Sequence, residues 1–230
     1  MTKIAVSIIE ENTDDCISVS NNCNTDLIEL RIDYIKDINI TKLDKILKNI
    51  SKEIIITCRS KEFGGKYKGS EINRIKLLKH AISKNVKYID IEIESDINDV
   101  NNLIKNKDNT KIILSHHNFD NTPPINELQK KYDQMNLLNP NLIKIVTFAN
   151  SINDCFTIFR LLKDKHNLIG LCMGIKGNIT RILAQKFNSY ITYASVNKGK
   201  ESAPGQLSIN DLMNIYNFKW LCLLAGTDYN

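Results

Sequence analysis

A lysine stands in the middle of an aliphatic run, LIKIVTF (142–148). If the side chain of Lys144 points into the interior, desolvation favours its neutral amine, and a neutral amine attacks carbonyl carbon. Cationic neighbours such as Arg31 or Arg59 would disfavour the ammonium further. The alternative is a lysine whose stem lies along apolar surface with its head in water. His117 closes a second such run, KIILSHH (111–117), and an imidazole with an ordinary pKa of about 6.5 gives and takes protons near neutrality. Glu29 and Arg31 in LIELRID, with Arg59 in IIITCRS, suit the hydroxyl and carboxylate groups of a small polar molecule, or else an internal ion-pair network. Arg181 sits in the first turn of GNITRILAQKF, where a helix N-terminus favours anions; a surface arginine is the other reading.

Eight short β-rich runs carry or neighbour these residues, at 3–9, 27–33, 54–60, 88–93, 111–117, 142–148, 168–174 and 190–196. Amphipathic helical text lies between most of them, with start signals at Ser70, at Pro123 and Pro124, at Ser151 with Asp154, at Gly177, and at Ser208 with Asp211. Alternating strand-then-helix units in 230 residues predict an α/β fold, a (β/α)₈ TIM barrel, rather than an open doubly wound sheet. No Pro/Gly/Ser-rich linker or repeat divides the chain, so residues 1–230 read as one catalytic domain.

Parity within the runs predicts which way side chains face. Ile28, Leu30 and Ile32 alternate with Glu29, Arg31 and Asp33, and Ile89, Ile91 and Ile93 alternate with Asp90 and Glu92. Helices should cover the aliphatic parity, which leaves the charged parity inside the barrel near its C-terminal mouth, where barrel enzymes hold their chemistry. Arg59 with Thr57, His117 with Ser115, and Lys144 share that inward side, while His116 faces the other way. His80 and His166 read as solvated.

The 31 basic and 26 acidic residues leave a charge of +5, but lysines are interleaved with Asp and Glu, which argues against a nucleic-acid surface. No apolar run approaches the roughly 18 residues of a membrane span, so neither a membrane segment nor a signal peptide is expected. Six scattered cysteines (Cys16, Cys23, Cys58, Cys155, Cys172, Cys222) without a CxxC pair predict reduced thiols in the cytoplasm. No zinc-ligand spacing joins them to the histidines, and no metal is expected. Gly64, Gly65 and Gly69 predict a flexible loop, and ESAPGQ (201–206) a turn able to close over a barrel mouth.

Taken in order, ELRID, TCRS followed by FGG, YIDIE, SHHNFDNTPP, the lysine of LIKIV, GIKGNITR and SAPGQ resemble the type I 3-dehydroquinate dehydratase family of the shikimate pathway through nearly the whole chain. The resemblance implies a cofactor-free, commonly dimeric (β/α)₈ lyase that converts a small molecule, 3-dehydroquinate, to 3-dehydroshikimate through an imine. It makes Lys144 the imine former and His117 the general acid and base, and it assigns substrate contacts to Ser7, Glu29, Arg31, Arg59, Arg181, Ser202 and Gln206. Many family members carry a glutamate directly before the Gly-Gly pair, where it orients the histidine. Here Phe63 occupies that place and Glu62 the one before it. A one-residue shift reverses side-chain direction in extended chain, so Glu62 is not expected to reach His117 unless the loop bulges, and Glu92 is another candidate partner.

Two rival readings use the same residues. A class I aldolase or related imine-forming lyase would share the barrel lysine but act on phosphorylated sugars, for which the chain offers no clear phosphate loop. A mildly basic nucleic-acid-binding module would show strongly salt-dependent binding, yet the basic residues neither cluster nor interleave with aromatics.

Overall fold

A computed structural model describes residues 2–25 and 27–217. Cys222 and the apolar run around it lie outside the described residues. Eight parallel strands alternate with helices: β1 (Lys3–Ile8), α1 (Thr13–Asn22), β2 (Leu27–Arg31), α2 (Ile40–Asn49), β3 (Glu53–Thr57), α3 (Glu71–Ser83), β4 (Tyr88–Glu92), α4 (Ile97–Lys105), β5 (Lys111–His117), α5 (Ile125–Asn136), β6 (Leu142–Phe148), α6 (Ile152–Leu162), β7 (Leu168–Met173), α7 (Asn178–Ile182), β8 (Ile191–Ser195) and α8 (Ile209–Asn217). The strands are hydrogen-bonded in the order β7-β6-β5-β4-β3-β2-β1-β8. Between β7 and β8 the ring closes loosely, with the Tyr190 N–H donating to the Leu168 carbonyl. This is the (β/α)₈ barrel that the alternation of elements predicts.

Strand parity partitions the core as expected. Ile28, Leu30, Ile56, Ile89, Ile91, Leu114, Ile143 and Ile145 pack outward beneath the helices. A second apolar cluster, built from Ala5, Leu27, Ile55, Tyr88, Ile113, Leu142, Ile169 and Ile191, fills the barrel's interior. Each buried aliphatic side chain contributes roughly 1.5–3 kcal/mol relative to its exposed state, so a register slip that turned these faces over would be prohibitive. Above the inner apolar layer, the same inward parity carries Ser7, Glu29, Arg31, Thr57, Arg59, Asp90, Glu92, Ser115 and Lys144, all buried.

The helix starts follow their capping chemistry. The Ser70 Oγ accepts from the Asn73 N–H at 3.3 Å, and the Ser208 Oγ accepts from the Asp211 N–H at 3.1 Å while donating to the Asp211 carboxylate. Pro124 precedes α5, and the Ser151 N–H donates to the Asp154 carboxylate at 2.8 Å. One helix departs from the sequence reading: GNITRILAQKF is helical only over Asn178–Ile182. Beyond it the chain turns so that Phe187 stacks on Phe159 of α6, with ring centroids 3.9 Å apart. A five-residue helix supplies little N-terminal field, so the anion preference expected at Arg181 rests on its side chain.

Candidate active site

At the C-terminal mouth of the barrel a cleft of about 530 Å³, including its open entrance, brings Lys144, His117, Glu29, Arg31, Arg59 and Arg181 together. Ser202 and Gln206 line it from the turn after β8. Ser7 lies just beneath, accepting from Gln206 Nε2 at 3.3 Å and donating to Glu29 Oε2 at 2.7 Å. All nine residues singled out in the sequence thus converge on one end of the barrel.

Lys144 is buried and inward, not snorkelling. Its Nζ lies 3.1 Å from Asp90 Oδ2 and 3.6 Å from Glu29 Oε1, and 4.2 Å from the centre of the Tyr193 ring. The expected arginine neighbours are not its closest partners. Arg59 is drawn away by Asp90 Oδ1 at 2.8 Å and Ser115 Oγ at 2.9 Å. Arg31 is clamped in a bidentate pair by Asp33, at 2.9 and 2.8 Å. Arg31 therefore has the Asp33 carboxylate to itself, while Arg59 and Lys144 share Asp90 through its two oxygens.

The charges are strongly coupled. Burial pushes the Asp90 and Glu29 carboxyls up, but Arg59 and Lys144 outweigh it for Asp90, and Lys144 and Arg31 for Glu29, so both are held below the ordinary range. His117 is held well below its usual 6.5 by burial first, then by Arg59 and Lys144. Arg181 has no carboxylate partner at hydrogen-bond distance among the described residues. Its Nη1 donates to the Tyr193 carbonyl at 3.2 Å, its buried Nε finds no partner among the described residues, and burial lowers its pKa to about 10. A desolvated guanidinium lining a cleft, with no carboxylate at hydrogen-bond distance among the described residues, suits an anion chemically.

The imidazole of His117 stacks beside Phe119, with centroids 6.0 Å apart and planes 16° from parallel. Its buried Nδ1 makes no hydrogen bond among the described residues. Glu62 is exposed and does not line the cleft, whereas Phe63 does. Glu92 does not orient the imidazole either: its carboxylate sits between Arg74 and Arg59, at 2.8 and 3.2 Å. His116 points outward onto Glu94. His80, read as solvated, is half-buried and pairs with Asp44 at 2.7 Å.

The glycine loop is shaped by contact. A Cβ on Gly65 would lie 2.0 Å from the Arg59 carbonyl oxygen, and Gly64, at φ 77°, packs under the Phe119 ring. On the opposite side, the Ser202 N–H and Oγ both donate to Gln206 Oε1, at 2.8 and 3.1 Å, folding the SAPGQ turn toward Ser7 and Glu29. Val146, Leu171, Met173 and Phe119 form an apolar wall. Two participants carried no assignment in the sequence reading. Asp90 was legible as an inward charge, and Tyr193 could have been found from its inward parity in YITYASV.

An amine against two carboxylates, a neutral imidazole and an unpaired guanidinium around one small cleft suit carbonyl chemistry on a carboxylated molecule. Residues 4–220 match the model of type I 3-dehydroquinase. The chain belongs to the type I 3-dehydroquinase family. It is 38% identical to a 3-dehydroquinate dehydratase of Methanococcus maripaludis strain C7, covering 92% of this chain and 97% of that one. It is 34% identical to the corresponding protein of Coxiella burnetii strain CbuK_Q154, covering 98% of each. A type I 3-dehydroquinate dehydratase structure from Clostridium difficile, carrying covalently modified comenic acid, superposes with a TM-score of 0.86 over 98% of this chain and 92% of that one, at 26% identity. More distant barrels, such as a 3-hexulose-6-phosphate synthase at TM-score 0.59 and 11% identity over 89% of this chain and 95% of that one, share the fold. Among the described residues no helix is long and apolar enough to cross a membrane.

Proposed function

We infer that this chain is a 3-dehydroquinate dehydratase, a hydro-lyase of the shikimate pathway, and that it works through an imine on Lys144. The observation that carries the imine reading is the position of Lys144 Nζ, buried in the cleft between Asp90 and Glu29 with His117 on the same wall.

The chemistry follows from these groups. Lys144 passes a proton to His117 and adds to the ring ketone as the free amine; the carbinolamine hydroxyl then takes that proton from the imidazolium and leaves as water, giving a cationic imine. That cation withdraws electrons from the adjacent C–H bond, and His117, neutral in this environment, accepts the proton. The resulting enamine expels the β-hydroxyl, which leaves as water by taking the proton back from the imidazolium. A second water then hydrolyses the conjugated imine and releases 3-dehydroshikimate with the amine restored. One water is consumed and two are released, so the net reaction is loss of one water.

Binding uses the remaining polar wall. Arg181 takes the substrate carboxylate, away from the reacting bond, and so supplies orientation. Arg31, Arg59 and Glu29 face the ring hydroxyls and the amine, while Ser202, Gln206 and Ser7 tie the SAPGQ turn to Glu29. Each step uses side chains of the chain itself, without a cofactor. The homodimer common in the family and a cytoplasmic setting, in which the five described thiols stay reduced, complete the reading.

Turnover of 3-dehydroquinate, followed as the rise of the enone absorbance of 3-dehydroshikimate, tests the activity. A sugar phosphate consumed in its place would favour the aldolase reading.

A further inference from the structure

We propose that Arg74, which lies outside the barrel on α3, is a positioning residue for Arg59 and, through it, for the Asp90–Lys144 pair. The proposal rests on the imine reading above. Arg74 is 1% exposed, yet it does not touch the cleft. All five of its N–H donors are committed: Nε and Nη2 to the two oxygens of Glu71 at 2.7 and 2.6 Å, Nη2 also to Ser95 Oγ at 2.9 Å, and Nη1 to the Cys58 carbonyl at 2.9 Å and Glu92 Oε2 at 2.8 Å.

Two of those contacts converge on Arg59. The Cys58 carbonyl belongs to the residue directly before it, so Arg74 pins the backbone from which Arg59 projects. Glu92 is fully buried, and its other oxygen, Oε1, lies 3.2 Å from Arg59 Nη1 and has no hydrogen-bond partner among the described residues. One carboxylate is thus shared between a guanidinium outside the barrel and one inside it. Arg59 divides its own donors between Ser115 and Asp90, and Asp90 holds Lys144 with its second oxygen.

The sharing sets a balance. With Arg74 in place, Glu92 is neutralised from outside and Arg59 is free to serve Asp90. Without it, Glu92 is a buried carboxylate whose nearest cation is Arg59, and it draws that guanidinium off Asp90. Asp90 is then left to Lys144 alone, which ties down the amine that must attack.

The test uses the intact protein with 3-dehydroquinate and measures kcat, KM and the rate at which borohydride traps the Lys144 adduct. For Arg74→Leu the expected result is a fall of about tenfold or more in kcat and in trapping rate, with KM changed less. Adding Glu92→Gln to that variant removes the unbalanced charge and should return most of the loss; a merely structural arginine would give no such rescue. Because the balance at Glu92 depends on charge, Arg74→Lys, although it gives up the two-point pair with Glu71, should stay within about threefold of the parent. It also supplies a folded comparison if the leucine variant does not fold, and in that case a loss as large as tenfold in the lysine variant, or unchanged trapping in folded Arg74→Gln, overturns the proposal. A leucine variant with parental kcat, or a double variant no better than the single, overturns it equally. A parent protein that dehydrates the substrate without a trappable adduct would refute the imine reading instead, which separates the two failures.

Discussion

Lys144 Nζ and Asp90 Oδ2 lie 3.1 Å apart, and the other oxygen of that carboxylate lies 2.8 Å from Arg59 and 2.7 Å from Ser115. Asp90 therefore orients the amine and the guanidinium at once. Asp90→Asn should lower kcat about 10–100-fold, as expected for a lost orienting charge, and should destabilise the fold by roughly 3–5 kcal/mol because Arg59 and Lys144, both buried, lose the carboxylate that they share. Steady-state turnover and urea unfolding check the two halves separately.

Arg181 should trade stability for binding. Among the described residues its buried guanidinium has no carboxylate at hydrogen-bond distance, and burial lowers its pKa to about 10. Arg181→Met removes that burden and should raise stability by roughly 1–2 kcal/mol, an outcome typical of replacing buried charge by apolar volume. The same change should raise KM at least tenfold, since the substrate carboxylate loses its partner. A variant that is both less stable and equally tight in binding would contradict this.

Acid should weaken the fold in two stages. His117 is held well below 6.5, so as pH drops through about 6.5 the unfolded imidazole takes up a proton that the folded one does not, and stability begins to fall. Asp90 and Glu29 are held below their ordinary values, so their contribution is complete above about pH 4.5 and is lost as pH falls further. Urea midpoints measured from about pH 8 down to about pH 2 should decline accordingly. The acid limb of kcat/KM should likewise lie below the ordinary imidazole range.

The glycine loop should matter through its backbone. Gly65→Ala would force a Cβ to within 2.0 Å of the Arg59 carbonyl, so it should cut kcat severely by shifting Arg59. Glu62→Gln, at an exposed position outside the cleft, should leave turnover within about twofold. An effect of Glu62→Gln comparable to loss of Lys144 would show that the carboxylate reaches the imidazole in the working enzyme.

The barrel and the inward polar set were legible because strand parity has a period of two and helices cover one face, so Glu29, Arg31, Arg59, His117 and Lys144 had to share the other. What parity does not encode is how far each strand is staggered against the next. That stagger puts Lys144 level with Ser115 and within reach of Asp90 and Glu29, while Arg31 and Arg59 are spoken for by Asp33 and Asp90. The expected cationic surroundings of the lysine were therefore replaced by carboxylates. The glycine-rich segment read as flexible because composition does not reveal that Gly65 sits against the Arg59 carbonyl. The short span of α7 was hidden for a similar reason, since Phe187 leaves the helix to stack on Phe159, a partner set by tertiary packing.

The most direct test of the account is borohydride reduction of the protein during turnover of 3-dehydroquinate, followed by intact mass and peptide mapping. The prediction is one adduct per chain, on Lys144, that is absent from Lys144→Ala along with all turnover. Dehydration that proceeds with no adduct, or an adduct on another lysine, would contradict it.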